Sequence, residues 1–214
     1  MTFGPLVVTF DARVLRPRPW TLLQASWAAE ISPDLPHGPI LELCSGAGHI
    51  GQAAAVITGR TVVQVDADPH ACTLAVSNAE ANTSVGQVEV RCGELDATVR
   101  LDERFPLILL DPPYLPQPEV DDWPEDPAHA IDGGPDGMDL PRRCLAVAGA
   151  HLVAGGAVLL QTLGQDQVDS LTPDVDAAGL EVVEVRGEDD RRAVALLRPR
   201  SPLLRSPRRP PAPR

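Results

Sequence analysis

Residues 107–110 read Leu-Ile-Leu-Leu, and Asp111-Pro112-Pro113-Tyr114 follows without a spacer. A continuous apolar run of four is too short for an amphipathic helix and leaves no polar face for water. It therefore predicts a strand buried on both sides. Such a strand belongs in a parallel sheet with helices packed on both faces. The flanking pattern agrees. Ile40 to Cys44, Thr61 to Val65, Val88 to Arg91 and Ala157 to Gln161 read as further strands. Between the first two, Ile50, Ala53, Ala54 and Ile57 recur at helical spacing and stop at Gly59. Asp68-Pro69 is a cap and first-turn signal for a helix through Leu74, Ala75 and Asn78. A helix is expected from about Leu140 to Val153. The segment from Gln165 to Ala178 is expected to be interrupted by Pro173. Glu181 to Arg186 and Arg191 to Leu197 predict a closing hairpin turning through Gly187 to Asp190.

The 214 residues suit one domain, expected over residues 1–197, with an arginine- and proline-rich tail, 198–214, expected to be disordered. All eighteen cationic residues are arginine, and six lie after Leu197, so residues 1–197 set twelve arginines against thirty carboxylates, a net of −18. A surface this acidic repels a phosphate backbone, which disfavours nucleic acid as a partner. The cysteines Cys44, Cys72, Cys92 and Cys144 form no C-x-x-C pair. Neither they nor the histidines stand at zinc-ligand spacing, so no metal is expected and the thiols read as reduced. No run of eighteen apolar residues and no charged secretory leader occur, which makes a cytoplasmic location without a membrane span the expectation.

In an open parallel sheet a ligand sits beyond the carboxyl ends of the strands, where the strand order reverses. Gly46-Ala47-Gly48-His49-Ile50-Gly51 follows the first strand there as G-x-G-x-x-G, and Asp66 lies twenty residues beyond Gly46 at the end of the second. Glycines let the backbone turn tightly against a ligand, and the carboxylate accepts from two ribose hydroxyls. The pattern by itself fits a dinucleotide or another adenosyl ligand. The tetrapeptide has no role in hydride transfer, and no second region is large enough for a dehydrogenase substrate domain. S-adenosyl-L-methionine is therefore the favoured cofactor. Glu42 is expected to hold the methionyl amino group directly or through water. Cys44, Gly46, Gly48, Asp66 and Ala67 complete the donor loop, with Glu94 and Leu95 at the adenine and Asp111 facing the methyl group. His49 and His70 read as cap-region or surface residues.

Asp111, Pro112 and Tyr114 are the candidate catalytic residues. Two prolines fix the backbone in an extended path, so the Asp111 carboxylate and the Pro112 carbonyl can face one spot beside the Tyr114 ring. That arrangement suits a planar nitrogen. The lone pair of an amide or exocyclic amine is delocalised; two acceptors on its hydrogens orient that pair and offset the positive charge that develops on attack.

The stretch from about Arg13 to Gly179 resembles the release-factor glutamine methyltransferases, which methylate the amide of a Gly-Gly-Gln motif. Arg13-Val14-Leu15-Arg16-Pro17-Arg18-Pro19 is similar to that family's opening segment, Leu41 to Ile50 to its donor loop, and Ala130 to Asp139 to the segment after its tetrapeptide. The resemblance implies a Rossmann-like class I methyltransferase, with a seven-stranded mostly parallel sheet and one antiparallel strand, but without the family's N-terminal helical domain. It places Arg18, Trp20, Thr21 and Pro113 on the substrate side. The sequence departs from the family at three places. Asp111 replaces asparagine, a form more similar to enzymes acting on nucleobase amines. Cys44 replaces the first loop glycine, and Pro19-Trp20-Thr21-Leu22 replaces Pro-Glu-Thr-Glu. Three readings follow: N-methylation of a protein side-chain amide, with a release factor as the partner; N-methylation of a small molecule or of a nucleobase; and donor binding without turnover. The acidic stretch Glu119 to Asp139 reads as a lid for a basic protein segment or as a solvated loop.

Overall fold

The computed structural model describes residues 1–189 and 191–200. A short hairpin, β1 (Thr2–Phe3) and β2 (Leu6–Val7), leads into α1 (Leu22–Ile31). Strands and helices then alternate: β3 (Ile40–Leu43), α2 (His49–Thr58), β4 (Val62–Asp66), α3 (Pro69–Ala81), β5 (Val88–Cys92), α4 (Leu95–Thr98), β6 (Phe105–Leu110), α5 (Asp139–His151), β7 (Leu152–Thr162) and α6 (Gln165–Ala177). The hairpin β8 (Leu180–Asp189) and β9 (Arg192–Pro199) closes the chain. Seven strands form one sheet in the order β5-β4-β3-β6-β7-β9-β8. All pairs are parallel except those of β9, which runs antiparallel to both β7 and β8.

Strand residues alternate between two cores, as the two-residue period of a pleated strand requires. Ile40, Leu107, Leu109 and Leu159 meet α1 and α2 on one face; Leu41, Ile108, Leu110 and Leu160 meet α5 and α6 on the other. All six residues of β6 are buried, as a strand covered on both faces must be.

Three expectations are corrected. Helix α6 runs unbroken through Pro173: the ring lies on the exposed face, where water can satisfy the freed carbonyl, while Val168, Leu171 and Val175 are buried on both sides of it. The final hairpin stays paired past Gly187, with Gly187 opposite Ala193 and Asp189 opposite Arg192. Gly187 allows this because a Cβ there would meet the Arg192 carbonyl at 2.5 Å. Strand β7 starts at Leu152, where a helix end was expected, and Gly155 (φ 75) sits in its irregular first half. The tail expected to be disordered lies, from residue 201 on, outside the described residues. Before that point β9 reaches Pro199, and the Arg200 N–H donates to the Gly179 carbonyl at 2.8 Å.

Arg60 fastens the connection from α1 to β3. Its guanidinium donates to Ser32 Oγ and to the carbonyls of Ser32, Pro36 and Gly38 at 2.8–3.0 Å. Arg60→Ala should lower stability by about 2–3 kcal/mol, because a forked cation there satisfies several turn carbonyls at once. Chemical denaturation checks this. Arg60→Lys should recover less than half of the loss, since one ammonium cannot span all four acceptors.

Candidate active site

The sheet places the two motifs side by side. From β3 the order runs outward through β4 and β5, and from β6 it runs outward the other way, so the reversal falls between β3 and β6. Leu43 is in register with Leu110, and the Asp111 N–H reaches the Leu43 carbonyl at 3.4 Å. The glycine turn and the tetrapeptide therefore leave neighbouring strands at the same level, about 4.8 Å apart, the strand spacing of any sheet.

On the β3 side, Gly46 (φ 52) and Gly48 (φ 81) make the turn that starts α2. They are glycines for different reasons. A Cβ on Gly46 would meet nothing within 4 Å, so that face is open, whereas one on Gly48 would strike Gln52 Nε2 at 2.5 Å. Asp66 holds the turn in place, its Oδ2 accepting from the Gly46 N–H at 2.7 Å and its Oδ1 from the Asp68 N–H at 2.9 Å. Cys44 takes the left-handed conformation, φ 60, that a glycine would occupy without strain, with its Sγ 3.9 Å from Cys144 Sγ. A cavity of about 860 Å³ opens here, lined by Cys44, Gly46, Asp66, Ala67, Glu94 and Leu95 among others.

On the β6 side a second cavity, about 310 Å³, is walled by the rings of Trp20, Tyr114 and Trp123 together with Arg18, Pro112 and Arg192. Arg192 lies 4.1 Å and Arg18 5.6 Å from the Trp20 ring, and Arg18 pairs with Asp126. Leu15, Asp111, Pro113 and Ala130 line both cavities, so the two chambers share a wall at the tetrapeptide. Burial pushes the Asp111 carboxyl up to about 7.

The methyltransferase small domain family, by its sequence model, matches residues 27–122. The release factor glutamine methyltransferase of Mycolicibacterium smegmatis is 35% identical over 182 residues, 80% of this chain and 63% of that protein. That of Deinococcus radiodurans is 33% identical over 192 residues, 86% of this chain and 66% of that protein. The chain thus spans just under two thirds of the length of these relatives. A methyltransferase from Pyrococcus furiosus superposes with a TM-score of 0.66 at 18% identity, covering 90% of this chain and 88% of its own.

The chain has the class I methyltransferase fold. Three residues expected at its site lie off the cavity walls. Glu42 is buried behind the glycine turn, accepting from the Gly51 N–H at 2.9 Å and from Gln64 Nε2. Burial pushes its carboxyl up to about 8, the pull of these donors notwithstanding. Gly51, the third glycine of the motif, is small because a Cβ there would collide with the Glu42 carboxylate. Gly48 faces the packing of Gln52 and Gln64. Thr21 turns inward, its hydroxyl donating to the Arg18 carbonyl at 2.9 Å.

Other residues around the two cavities emerged only from the fold. Gln167 of α6 donates to the carbonyls of Tyr114 and Gly137 at 2.9 and 3.1 Å, bracing the tetrapeptide from behind. Gly137 (φ 75) leaves room for that brace, because a Cβ would meet the Tyr114 carbonyl at 2.5 Å. No local sequence signal marks Gln167, whereas the glycines of the Gly133 to Gly137 run could have signalled a close backbone approach. The acidic stretch is a folded wall of both cavities: Trp123 and Asp126 face one, His129 the other, and Glu119 pairs with Arg191. His49, expected as a cap-region or surface residue, opens α2 and is buried at 8% exposure. Among the described residues, no helix is long and apolar enough to cross a membrane, and no cluster of His, Cys, Asp or Glu could hold a metal.

Proposed function

We propose that this methyltransferase domain moves a methyl group from S-adenosyl-L-methionine to the side-chain amide nitrogen of a glutamine in a protein of the release-factor kind. The observation that carries this is the shared wall: Asp111 and Pro113 face both a chamber of about 860 Å³ and a smaller one lined by rings. The larger chamber fits the donor. Its loop is open at Gly46, Asp66 offers a carboxylate at the ribose position, and Leu95 gives an apolar wall. When bound, the donor supplies an electrophilic methyl group on a sulfonium.

The residues do the rest. Pro112 and Pro113 stiffen the chain so that the Pro112 carbonyl and the Asp111 carboxylate accept the two amide hydrogens. This turns the nitrogen lone pair toward the methyl carbon and offsets the charge growing on nitrogen. The Tyr114 ring stacks on the amide plane, and the proton leaves after transfer without a dedicated base. Likeness to the release factor glutamine methyltransferases supports the amide as acceptor. Labelled methyl transfer to a release factor checks it: label should appear with Gly-Gly-Gln and vanish with Gly-Gly-Ala. One observation favours a second acceptor, the exocyclic amine of a nucleobase or aromatic small molecule. Asp111 carries a charge where the resembled family has a neutral amide, beside a chamber lined by Trp20, Tyr114 and Trp123. Label in RNA or in the small-molecule fraction of a lysate would decide for it.

The pH profile follows from Asp111. Burial raises its carboxyl to about 7, so the charged form that offsets the developing positive charge prevails above that pH and is lost below it. Turnover with saturated enzyme should fall by roughly tenfold per pH unit below about 7 and level off above. Asp111→Asn, which cannot titrate, should flatten the profile.

A further inference from the structure

We propose that His49 binds the amino-acid end of the methyl donor, its ring N–H donating to the donor's carboxylate. The inference rests on the donor reading above. His49 is the first residue of α2, is 92% buried and lies on the wall of the larger cavity. Its Nδ1 is sealed from solvent without a partner, and Nε2 makes no hydrogen bond within the described residues. A buried imidazole with both nitrogens unmet is costly, and on the wall of a ligand chamber that unmet capacity is most simply filled by the ligand. Nδ1 is sealed, so Nε2 is the nitrogen a ligand can reach, and the proposed hydrogen bond puts the ring proton there.

The surroundings select an anion. Because α2 starts at His49, the first amides of the helix have no intrahelical carbonyl to meet, and the helix dipole is positive there. The Gly51 N–H is taken by Glu42 and that of Gln52 by the Gly48 carbonyl, which leaves the amides of His49 and Ile50. Glu42, which meets the Gly51 N–H behind this helix end, is pushed up to about 8 by burial, so at neutral pH it is largely uncharged there. Burial holds the imidazole down to about 4, so at neutral pH it offers a single neutral N–H.

The ring is held from outside the sheet. Phe3 meets it edge to face, with centroids 4.7 Å apart and planes at 86°. The hairpin that carries Phe3 is fastened to α3 by Asn82, which pairs with the N–H and carbonyl of Val7 at 2.9 and 3.0 Å. Asn78 does the same for Thr9 and also donates to the Ala47 carbonyl of the donor loop at 2.9 Å. The first residues of the chain thereby set the position of a donor-binding side chain.

Calorimetric titration of the wild type and His49→Phe with three ligands tests this: S-adenosyl-L-methionine, its decarboxylated analogue and 5′-methylthioadenosine. Phenylalanine keeps the packing against Phe3 and removes both nitrogens, so the fold should survive, as the thermal midpoint checks. The expected result is a loss of about tenfold or more for the intact donor, the scale of a hydrogen bond to a charged group, with the other two ligands unchanged. Equal weakening of all three ligands would make His49 a packing residue and overturn the proposal, as would no weakening of any. A wild type that binds none of the three refutes the donor reading itself, an outcome separable from either.

Discussion

Asp111→Ala should lower turnover by on the order of a hundredfold while leaving the donor's Kd within a few-fold, the scale expected when a transition state is deprived of one oriented electrostatic partner. The split follows from where the carboxylate stands. Asp111 lies on the wall common to both chambers, whereas the turn that would hold the donor is fixed by Asp66, Glu42 and Gln64, none of which bonds to it. Its backbone N–H already serves the Leu43 carbonyl, so alanine keeps the chain path, and Pro112 and Pro113 keep the turn. What disappears is one acceptor on the attacking nitrogen and its charge. Single-turnover measurement with donor pre-bound reads this directly. If donor binding collapsed while the bound fraction reacted at the normal rate, Asp111 would belong to the donor site and the assigned role would be wrong.

Much of this arrangement could be read from the chain because it is local. The run Leu107 to Leu110 needs cover on both faces and obtains it; Asp68 caps α3, with its side chain accepting from the His70 N–H, as Asp-Pro at a helix start requires. Gly59, at φ 71, ends α2 where the spacing said it would. The parts that stayed hidden depend on distant partners. Helix α1 carries buried Gln24 among apolar residues on every side, so no amphipathic stripe marks it. Gln24 is there to donate to the carbonyls of Leu110 and Leu159, which sequence spacing cannot reveal. The β1–β2 hairpin has two residues per strand and depends on Asn78 of α3 and on Asn82 just past its end, some seventy residues away. Thr21 was placed by resemblance and Glu42 by its position in the first strand, and each has backbone or amide partners behind the wall. Pro173 shows the complementary case: a rule about helix interiors yields when the affected carbonyl is exposed and the opposite face is well packed.

Asp66→Ala should give the reverse of the Asp111 result, weakening the donor by roughly a hundredfold or more, the scale of two hydrogen bonds to a charged group, with turnover of the bound donor largely kept. Two effects add. The carboxylate would no longer meet the ribose hydroxyls, and the glycine turn would lose its tie, since Asp66 accepts from the N–H groups of both Gly46 and Asp68. Gly46 at φ 52 has no side chain packed around it, so without that tie the turn has little else to hold its shape. Burial raises the Asp66 carboxyl while these two N–H donors lower it, so the charge sits in the wall at the expense of stability. Asp66→Asn keeps one acceptor oxygen for the Gly46 N–H and replaces the other with an NH2 donor, so the affinity should fall between wild type and alanine. Calorimetry with the intact donor and with adenosine reads the ribose share, because both ligands carry the same hydroxyls and should lose affinity by the same factor. Loss for the intact donor alone would place Asp66 at the methionyl ammonium group instead of the ribose.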